Sequence, residues 1–432
     1  MNPPDRPSPR QHLRAAAVAL ALAALCVAVE SGRACRRERR DLHTVAAENS
    51  SVKDLGVVWQ KETFAQPDLL PLYGSSELVK KAPNKASQFF ARYPTGFAIS
   101  PVGRPSCTSL ILLEKIAASG AAARGRKVAI CVSPSWFITK GANHDGFAGN
   151  FSAMQASELF FSAPLSLRLK HAIARRMLRY PEVFDQSPLL AVAARGLAGD
   201  RLRDRLLYFA SVPLGRLQNV VFRLQDHFEV IDQLEQERRR GHAHDRQEAQ
   251  PNWDALLATA QTQWTPLPED VPDSRLRQFA NDGAFLHALQ YSYEWGDLEL
   301  LLRALRELGL DPLVLSMPIE YAHFERMGIS PQCIDAYAWR LRAFAERYQV
   351  PVVDFADLGE DPQFFADHFG HPSAKGWIYF DQTLDDFYHG RPLRQSASAS
   401  ASKETLPRTP SNPPIDRPRP HQSGPWSAIP GT

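Results

Sequence analysis

The sequence predicts an α/β fold in which helices cover both faces of a parallel sheet, and two patterns support this. Short, nearly continuous apolar runs have the length expected of strands that are buried on both faces. They lie at residues 69–73, 97–101, 127–133, 313–317 and 350–354. Helical patterns separate several of these runs. Because strands that alternate with helices form doubly wound parallel sheets, we expect a three-layer structure.

Two of the intervening segments have the apolar periodicity of a helix. Residues 109–118 carry Leu110, Leu112, Leu113 and Ile116. Leucines at positions 298, 301, 302, 305 and 308 mark one face of a second helix. Gly309 follows directly and is expected to end it.

The strand signal disappears between residues 150 and 290, where long amphipathic patterns replace it. Residues 165–179 follow Pro164, and a longer pattern covers 214–240. We therefore predict a helical insertion at about 151–290. The charged run 235–250 contains His242 and His244. We interpret it as a solvated loop, since no carboxylate or cysteine stands at ligand spacing within an ordered element, and we predict no metal site.

The N-terminal residues 1–40 form a tail and a membrane anchor or signal. Residues 13–29 are apolar except for Arg14, and as a helix they would span about 26 Å, slightly less than the roughly 30 Å of a bilayer core. We favour an uncleaved anchor over a signal peptide because no clear cleavage site follows. Arginines at positions 33, 36, 37, 39 and 40 would place the body in the cytoplasm by the positive-inside rule.

The composition is that of a globular protein. Hydrophobic residues make up 44% of the 432 residues and charged residues 22%, while a formal net charge of +3 is too small to indicate nucleic-acid binding. The five cysteines show no zinc spacing or disulfide framework. We predict one catalytic domain at 41–390 and a disordered tail at 391–432, which is rich in serine, alanine and proline.

Two motifs carry the chemistry. Gly74-Ser75-Ser76 follows the first predicted strand, where a turn can expose a hydroxyl, although a helix cap is the simpler interpretation. His371 lies in the segment 367–377, after the last strand and before the last helix. Both motifs would therefore meet at the carboxyl edge of the sheet. A serine hydroxyl is a weak nucleophile until a base takes its proton, and a carboxylate can fix the tautomer of that base.

These two motifs resemble the first and last motifs of the SGNH hydrolases, which have a flavodoxin-like sheet. The resemblance narrows to the DltD family, the D-alanine transfer proteins of teichoic-acid D-alanylation. It extends over about residues 56–390. The matching motifs occur in the family's order: Gly74-Ser75-Ser76-Glu77-Leu78, Pro101-Val102-Gly103, Ser133-Pro134-Ser135-Trp136-Phe137, Asn150-Phe151-Ser152 with Gln155, and His371 with Gly376-Trp377.

The resemblance implies Ser76 as the nucleophile, His371 as the base and the N–H groups of Ser76 and Gly103 as oxyanion donors. Asp367 is inferred as the acid, with a departure: it lies four residues before the histidine, whereas the usual spacing is three. Either a one-residue bulge restores a triad, or the site is a Ser-His dyad.

Two further residues were considered as substrate contacts. Trp136 would line the acyl pocket, or else be a half-buried core residue. Asn150 would orient the substrate, or else be a turn residue.

The implied function is acyl transfer outside the membrane. Ser76 would accept a D-alanyl group and pass it to a hydroxyl of a polyol-phosphate polymer. No bound cofactor is expected. The donor would arrive through a phosphopantetheine carrier protein and a membrane O-acyltransferase, which are the implied partners. The alternatives are an anchored SGNH esterase or O-acetyltransferase acting on a glycan, and an inactive scaffold. A reaction outside the membrane conflicts with the arginines at positions 33–40, which by the positive-inside rule would place the body in the cytoplasm.

Overall fold

The computed structural model describes residues 9–138, 143–240, 247–260, 281–367 and 370–394. Two predictions lie outside these residues: the interpretation of 241–246, which contain His242 and His244, and the disorder of the tail from residue 395 onwards. The start of the predicted loop, residues 235–240, is helical instead.

The sheet has five parallel strands in the order β2-β1-β3-β4-β5. This confirms the predicted α/β class, and the order is the flavodoxin-like one. Each strand overlaps one of the five predicted runs: β1 Leu69–Tyr73, β2 Ala98–Val102, β3 Lys127–Val132, β4 Asp311–Ser316 and β5 Val352–Val353.

Eighteen α-helices lie within the described residues. Before β1 come α1 Pro9–Val45, α2 Ser51–Leu55 and α3 Val58–Ala65. Those from β1 to residue 150 are α4 Ser76–Val79, α5 Ala86–Arg92, α6 Ser109–Ala118, α7 Pro134–Phe137 and α8 His144–Asn150. The long helical segment contains α9 Ala153–Phe161, α10 Leu167–Met177, α11 Pro188–Ala198, α12 Leu202–Arg240, α13 Trp253–Thr259 and α14 Asp282–Tyr291. The last four are α15 Glu294–Leu308, α16 Tyr321–Arg326, α17 Pro331–Glu346 and α18 Ala374–His389.

Alternate residues of each strand point to opposite faces of the sheet, and each face has its own apolar cluster. On one face Tyr73 and Ile130 pack with α6, α9, α15 and α17. On the other face Leu72 and Cys131 pack with α5 and α18. The result is the predicted three-layer arrangement. Gly309 ends α15 in a left-handed conformation, with φ +69°, as its place after the leucine pattern suggested.

The strand order creates a crevice at one edge of the sheet. The chain passes from β1 to β2 on one side and then returns to β3 on the other side of β1. Ligands of open α/β sheets bind at such a switch point, outside the carboxyl ends of the strands. The segments that follow β1 and β3 border this crevice, and they begin with Gly74 and Ser133.

Between residues 151 and 290 the described residues are helical and contain no strand. The helices do not form a separate core, because Leu159 of α9 and Leu190 of α11 belong to the same apolar cluster as β1 and α6. The division into domains stays a prediction.

Helix α1 is longer than the apolar run that predicted it. Its 37 residues extend about 55 Å, which exceeds the bilayer core. An 18-residue window has a mean hydropathy of 2.1, and none of it is buried in the protein. The C-terminal part packs on the body through Leu42 and Val45. By length and composition, α1 can therefore cross a membrane while its end is held by the folded domain.

Asp226 of α12 joins that helix to the start of α3. Its Oδ2 accepts hydrogen bonds from the N–H groups of Val57 and Val58, both at 2.6 Å. A Cβ at position 56 would lie 2.3 Å from Asp226 Oδ1, so glycine is needed there. Burial raises the pKa of Asp226 to about 6 from an ordinary 3.8, although the two N–H groups oppose this.

We expect the stability of the protein to depend on pH through this carboxyl. A folded-state pKa above the unfolded value gives a contribution that is full below the unfolded pKa and is lost as the pH rises through the folded one. The loss between about pH 5 and pH 8 should be about 1–2 kcal/mol. Asp226→Asn should remove this part of the pH dependence in denaturant unfolding of the detergent-solubilised chain. Asp232→Asn, an exposed acid of the same helix, should not, and an unchanged slope in Asp226→Asn would contradict the assignment.

Candidate active site

The turn after β1 is shaped by a buried carboxylate. Glu77 Oε1 accepts a hydrogen bond from the Ser75 N–H at 2.6 Å, and the Gly74 N–H donates to Val102 O at 3.0 Å. A Cβ at Gly74 would lie 2.2 Å from Glu77 Oε1, so only glycine leaves room for the carboxylate. Burial raises the pKa of Glu77. The glutamate fixes the turn that carries the serines.

The two serines of this turn have different surroundings. Ser75 is buried, and its hydroxyl donates to Arg104 O at 3.3 Å. Ser76 is the first residue of α4 and is partly exposed at the sheet edge. Its N–H has no acceptor among the described residues, as is usual at a helix start. Ser76 is thus the serine that faces the crevice.

His371 is carried by a loop that folds back on itself. Phe365 and Pro372 form an antiparallel bridge, and the Ala366 N–H donates to His371 O at 2.8 Å. The Gly370 N–H donates to Asp367 O at 3.2 Å, with Gly370 at φ +81°. This turn brings the histidine back over the aspartate.

Ser76, His371 and Asp367 form a continuous chain of hydrogen bonds. Ser76 Oγ is 2.8 Å from His371 Nε2. His371 Nδ1 lies 2.8 Å from Asp367 Oδ2 and 3.0 Å from Oδ1. The backbone N–H of His371 donates to the same carboxylate at 3.3 Å. With the four-residue spacing, both carboxylate oxygens of Asp367 lie within hydrogen-bond distance of the histidine ring. His368, at the usual position of the acid, lies outside the described residues.

Lys80 lies beside these three hydrogen-bonded residues, a contact that the sequence did not suggest. Its Nζ forms a salt bridge with Asp367 Oδ2. Burial alone would raise the pKa of Asp367, but the hydrogen bonds and charges of His371 and Lys80 hold it well below its ordinary value. The carboxylate is therefore ionised at neutral pH. The two residues are 287 positions apart, and no local pattern connects them.

The oxyanion role of Gly103 stays a prediction, and the hydrogen bond that its N–H makes in this structure does not support it. Its single N–H donates to Asp54 Oδ1 at 2.7 Å and is not available to a substrate. Burial raises the pKa of Asp54, while Lys115 and this hydrogen bond oppose the rise. Gly103 matters for another reason. A Cβ there would lie 2.0 Å from Gly74 O, so the end of β2 packs directly on the serine turn.

Gly103→Ala is therefore expected to destabilise the protein by about 3 kcal/mol or more, since backbone atoms must move to make room. Thermal unfolding of the full chain measures this. Gly149→Ala is the matched control, because a Cβ at that helical position meets no heavy atom within 4 Å. It should be neutral or slightly stabilising. Equal melting temperatures for the two variants would show that the Gly103–Gly74 contact is not tight.

Asn150 and Trp136 are not shown to contact a substrate. The Asn150 amide donates to Pro105 O and Gly146 O, both at 2.9 Å, and its oxygen accepts from Cys107 Sγ at 3.3 Å. These side-chain contacts favour the structural alternative, and the substrate role of Asn150 stays a prediction. Trp136 is half-buried against the main apolar cluster, just after β3.

Potential metal ligands occur elsewhere in the described residues. Cys35, Glu38 and His227 lie together where α1 meets α12, with ligand atoms within 4.8 Å of one another. His227 Nδ1 is 2.7 Å from Glu38 Oε1. This contact joins two helices and does not include any residue of the candidate site.

Comparison with known proteins places the chain in a family. The family model described as DltD protein matches residues 46–266 and 272–389. Protein DltD of Bacillus subtilis is 25% identical over 354 residues, which cover 77% of this chain and 86% of that protein. Protein DltD of Staphylococcus aureus is 22% identical, with 78% and 85% covered, and that of Lacticaseibacillus rhamnosus is 22% identical, with 86% and 88% covered. The match includes the Ser76 turn, the helical segment and the His371 loop, so the chain belongs to the DltD family, which takes part in the D-alanylation of teichoic acids.

Proposed function

We propose that this chain transfers a D-alanyl group to a hydroxyl of a cell-envelope polymer through an ester on Ser76. The observation that carries the proposal is the hydrogen-bonded chain Asp367–His371–Ser76 at the switch point of the sheet. A base within hydrogen-bond distance of a hydroxyl, itself oriented by a carboxylate, is the arrangement that activates a serine.

In the first half-reaction Ser76 Oγ attacks the carbonyl carbon of the D-alanyl donor. His371 Nε2 takes the hydroxyl proton as the new C–O bond forms, and Asp367 stabilises the resulting imidazolium through Nδ1–H. The Ser76 N–H is the donor within reach of the developing oxyanion. When the bond to the leaving group breaks, His371 returns the proton to the departing sulfur or oxygen.

In the second half-reaction the acceptor hydroxyl replaces the donor. His371 takes its proton while the hydroxyl oxygen attacks the ester carbonyl on Ser76. The bond between the carbonyl carbon and Ser76 Oγ then breaks, and the serine oxygen regains the proton. One ester is formed for each one that is broken, so the reaction needs no redox cofactor or metal.

We place the reaction outside the membrane, with α1 as the anchor and the site on the body that follows it. The donor would be supplied by a membrane O-acyltransferase, which is charged in turn by a phosphopantetheine carrier protein. A half-exposed serine at the sheet edge suits an acceptor that is a long polymer, because the chain can cross the site without being enclosed.

The mass of the group on Ser76 tests the proposal. The full chain is incubated with a D-alanyl thioester of pantetheine, with and without the membrane partner, then quenched in acid and digested. We expect the peptide containing Ser76 to gain one alanyl group, and Ser76→Ala to gain none. An acetyl group from an acetyl donor, with no alanyl group, would favour the esterase or O-acetyltransferase alternative. Absence of any adduct and of fluorophosphonate labelling would favour the inactive scaffold.

A further inference from the structure

A helix on the surface of a soluble domain usually buries its apolar face and exposes its polar face. Along residues 202–228 of helix α12 this arrangement is inverted. Within this range the buried face of the helix carries small or polar residues: Tyr208, Ser211, Gly215, Asn219 and Asp226. These residues make close, specific contacts with the body. The Asn219 amide donates to Ser162 Oγ at 2.7 Å, and a Cβ at Gly215 would lie 2.3 Å from the ring of Phe161.

The outward face of α12 is apolar. The exposed fractions of Leu206, Leu217 and Phe228 are 60%, 62% and 70%. Other large apolar side chains share this exposure: Leu202, Leu207, Phe209, Leu214, Val220 and Val221. Such a continuous exposed apolar surface marks a site of interaction, because a soluble monomer rarely tolerates it. We call the residues 202–228 on this side the outer α12 face.

The charges around this face identify the class of partner. Between residues 201 and 229 there are five arginines, at positions 201, 203, 205, 216 and 223, and three acidic residues, Asp204, the buried Asp226 and Glu229. Arg223 also pairs with Glu158 at 3.1 Å. Arginines beside an exposed apolar helix face are typical of helices that lie in the interface of a bilayer with anionic lipids. An apolar protein groove would not by itself require this excess of positive charge.

Helix α12 is also attached to the helix that can enter a membrane. Leu42 and Val45 of α1 cluster with Val230 and Leu234 of α12. At the same contact Arg37 forms a salt bridge with Glu235. The outer α12 face is therefore carried by an element that is fixed to the end of the membrane-crossing helix.

We propose that the outer α12 face lies in the headgroup region of the bilayer that α1 enters. A single spanning helix would leave the body free to rotate about it. A second contact, about 40 Å long for the 27 residues 202–228, fixes the orientation of the sheet edge relative to the membrane surface. This assignment does not depend on catalysis at Ser76.

Fluorescence quenching in vesicles tests the assignment with the full chain. Cys26 and Cys35 are replaced by serine, the buried cysteines are kept, and Leu206→Cys or Leu217→Cys is labelled with an environment-sensitive dye. The control is Tyr291→Cys, since that side chain is 53% exposed but lies on α14. In vesicles of phosphatidylcholine and phosphatidylglycerol, we expect nitroxide lipids to quench the two α12 labels severalfold more than the control. Iodide in the aqueous phase should quench the control label at 291 more than the labels at 206 and 217.

Two results would overturn the proposal. Iodide quenching at positions 206 and 217 that equals that at 291 would show that the face is in water. Protection from both quenchers would show that protein covers the face, either a second copy or a partner. The charge argument has its own test: Arg203→Gln with Arg205→Gln should reduce lipid quenching at 206 in anionic vesicles more than in pure phosphatidylcholine. An equal effect in both would contradict it.

Discussion

Replacing Ser76 by alanine is expected to lower the rate of acyl transfer by a factor on the order of 10⁶, the loss that follows when a serine hydrolase loses its nucleophile. The physical reason is that the Ser76 hydroxyl is the group bonded to His371 Nε2, at 2.8 Å. Without it no ester can form and the histidine has no proton to take. The measurement is single-turnover transfer from a D-alanyl thioester, followed together with fluorophosphonate labelling.

The neighbouring serine provides the control. Ser75→Ala removes a hydroxyl from the same turn, but that hydroxyl bonds to Arg104 O and not to the histidine. We expect Ser75→Ala to cost about 1 kcal/mol of stability and to keep its labelling. Ser76→Ala should keep the stability and lose the labelling. If Ser76→Ala transferred D-alanine at the normal rate, the acyl-enzyme mechanism would be wrong.

The sheet could be predicted from the sequence because its strands are buried on both faces. A strand such as Leu69–Tyr73, in which every residue is buried, leaves a continuous apolar run that needs no tertiary information to recognise. The last strand was predicted over five residues, but only Val352 and Val353 pair with the sheet. This strand lies at the edge, where one side has no partner and pairing ends early.

Helix α12 shows where local patterns mislead. The amphipathic pattern predicted a start at residue 214, whereas the helix begins at Leu202 and contains Pro213. Proline ordinarily breaks a helix interior, and most of the large apolar residues before it are exposed: Leu202, Leu206, Leu207 and Phe209. The inverted pattern becomes interpretable only when the structure shows which face is buried.

The sequence could predict the positions of residues that lie next to a strand or helix. It could not predict contacts between residues that are far apart in the sequence. Ser76 comes just after β1 and His371 just before α18, two elements that the pattern identifies. The engagement of Gly103 by Asp54 could not be inferred, because Asp54 precedes the sheet and reaches β2 only in the folded chain. The spacing of Asp367 and His371 was ambiguous for a related reason: a turn closed by Gly370 has no signature that separates it from a bulge.

Asp367→Asn tests that ambiguity in function, and we expect it to reduce transfer by a factor on the order of 10⁴, the loss that the same change causes in a Ser-His-Asp protease. An asparagine can still contact Nδ1, but it cannot stabilise the imidazolium and can hold the ring in the wrong tautomer. The loss should fall on the chemical step, with donor binding little changed. Single-turnover rates over a range of donor concentrations separate the two.

Two further variants make this result specific to the triad. Asp361→Asn removes another carboxylate of the same segment, one that bonds to Lys375 at 3.1 Å and not to His371, so transfer should be nearly normal. Lys80→Met removes the second cation beside Asp367 while leaving the carboxylate in place. Since the lysine helps to keep the pKa of Asp367 low, its loss should raise the pKa of that carboxyl while the rate of transfer at neutral pH is largely kept. A rate for Asp367→Asn within about tenfold of the parent would instead identify a Ser-His dyad, in which Asp367 and Lys80 only shape the loop.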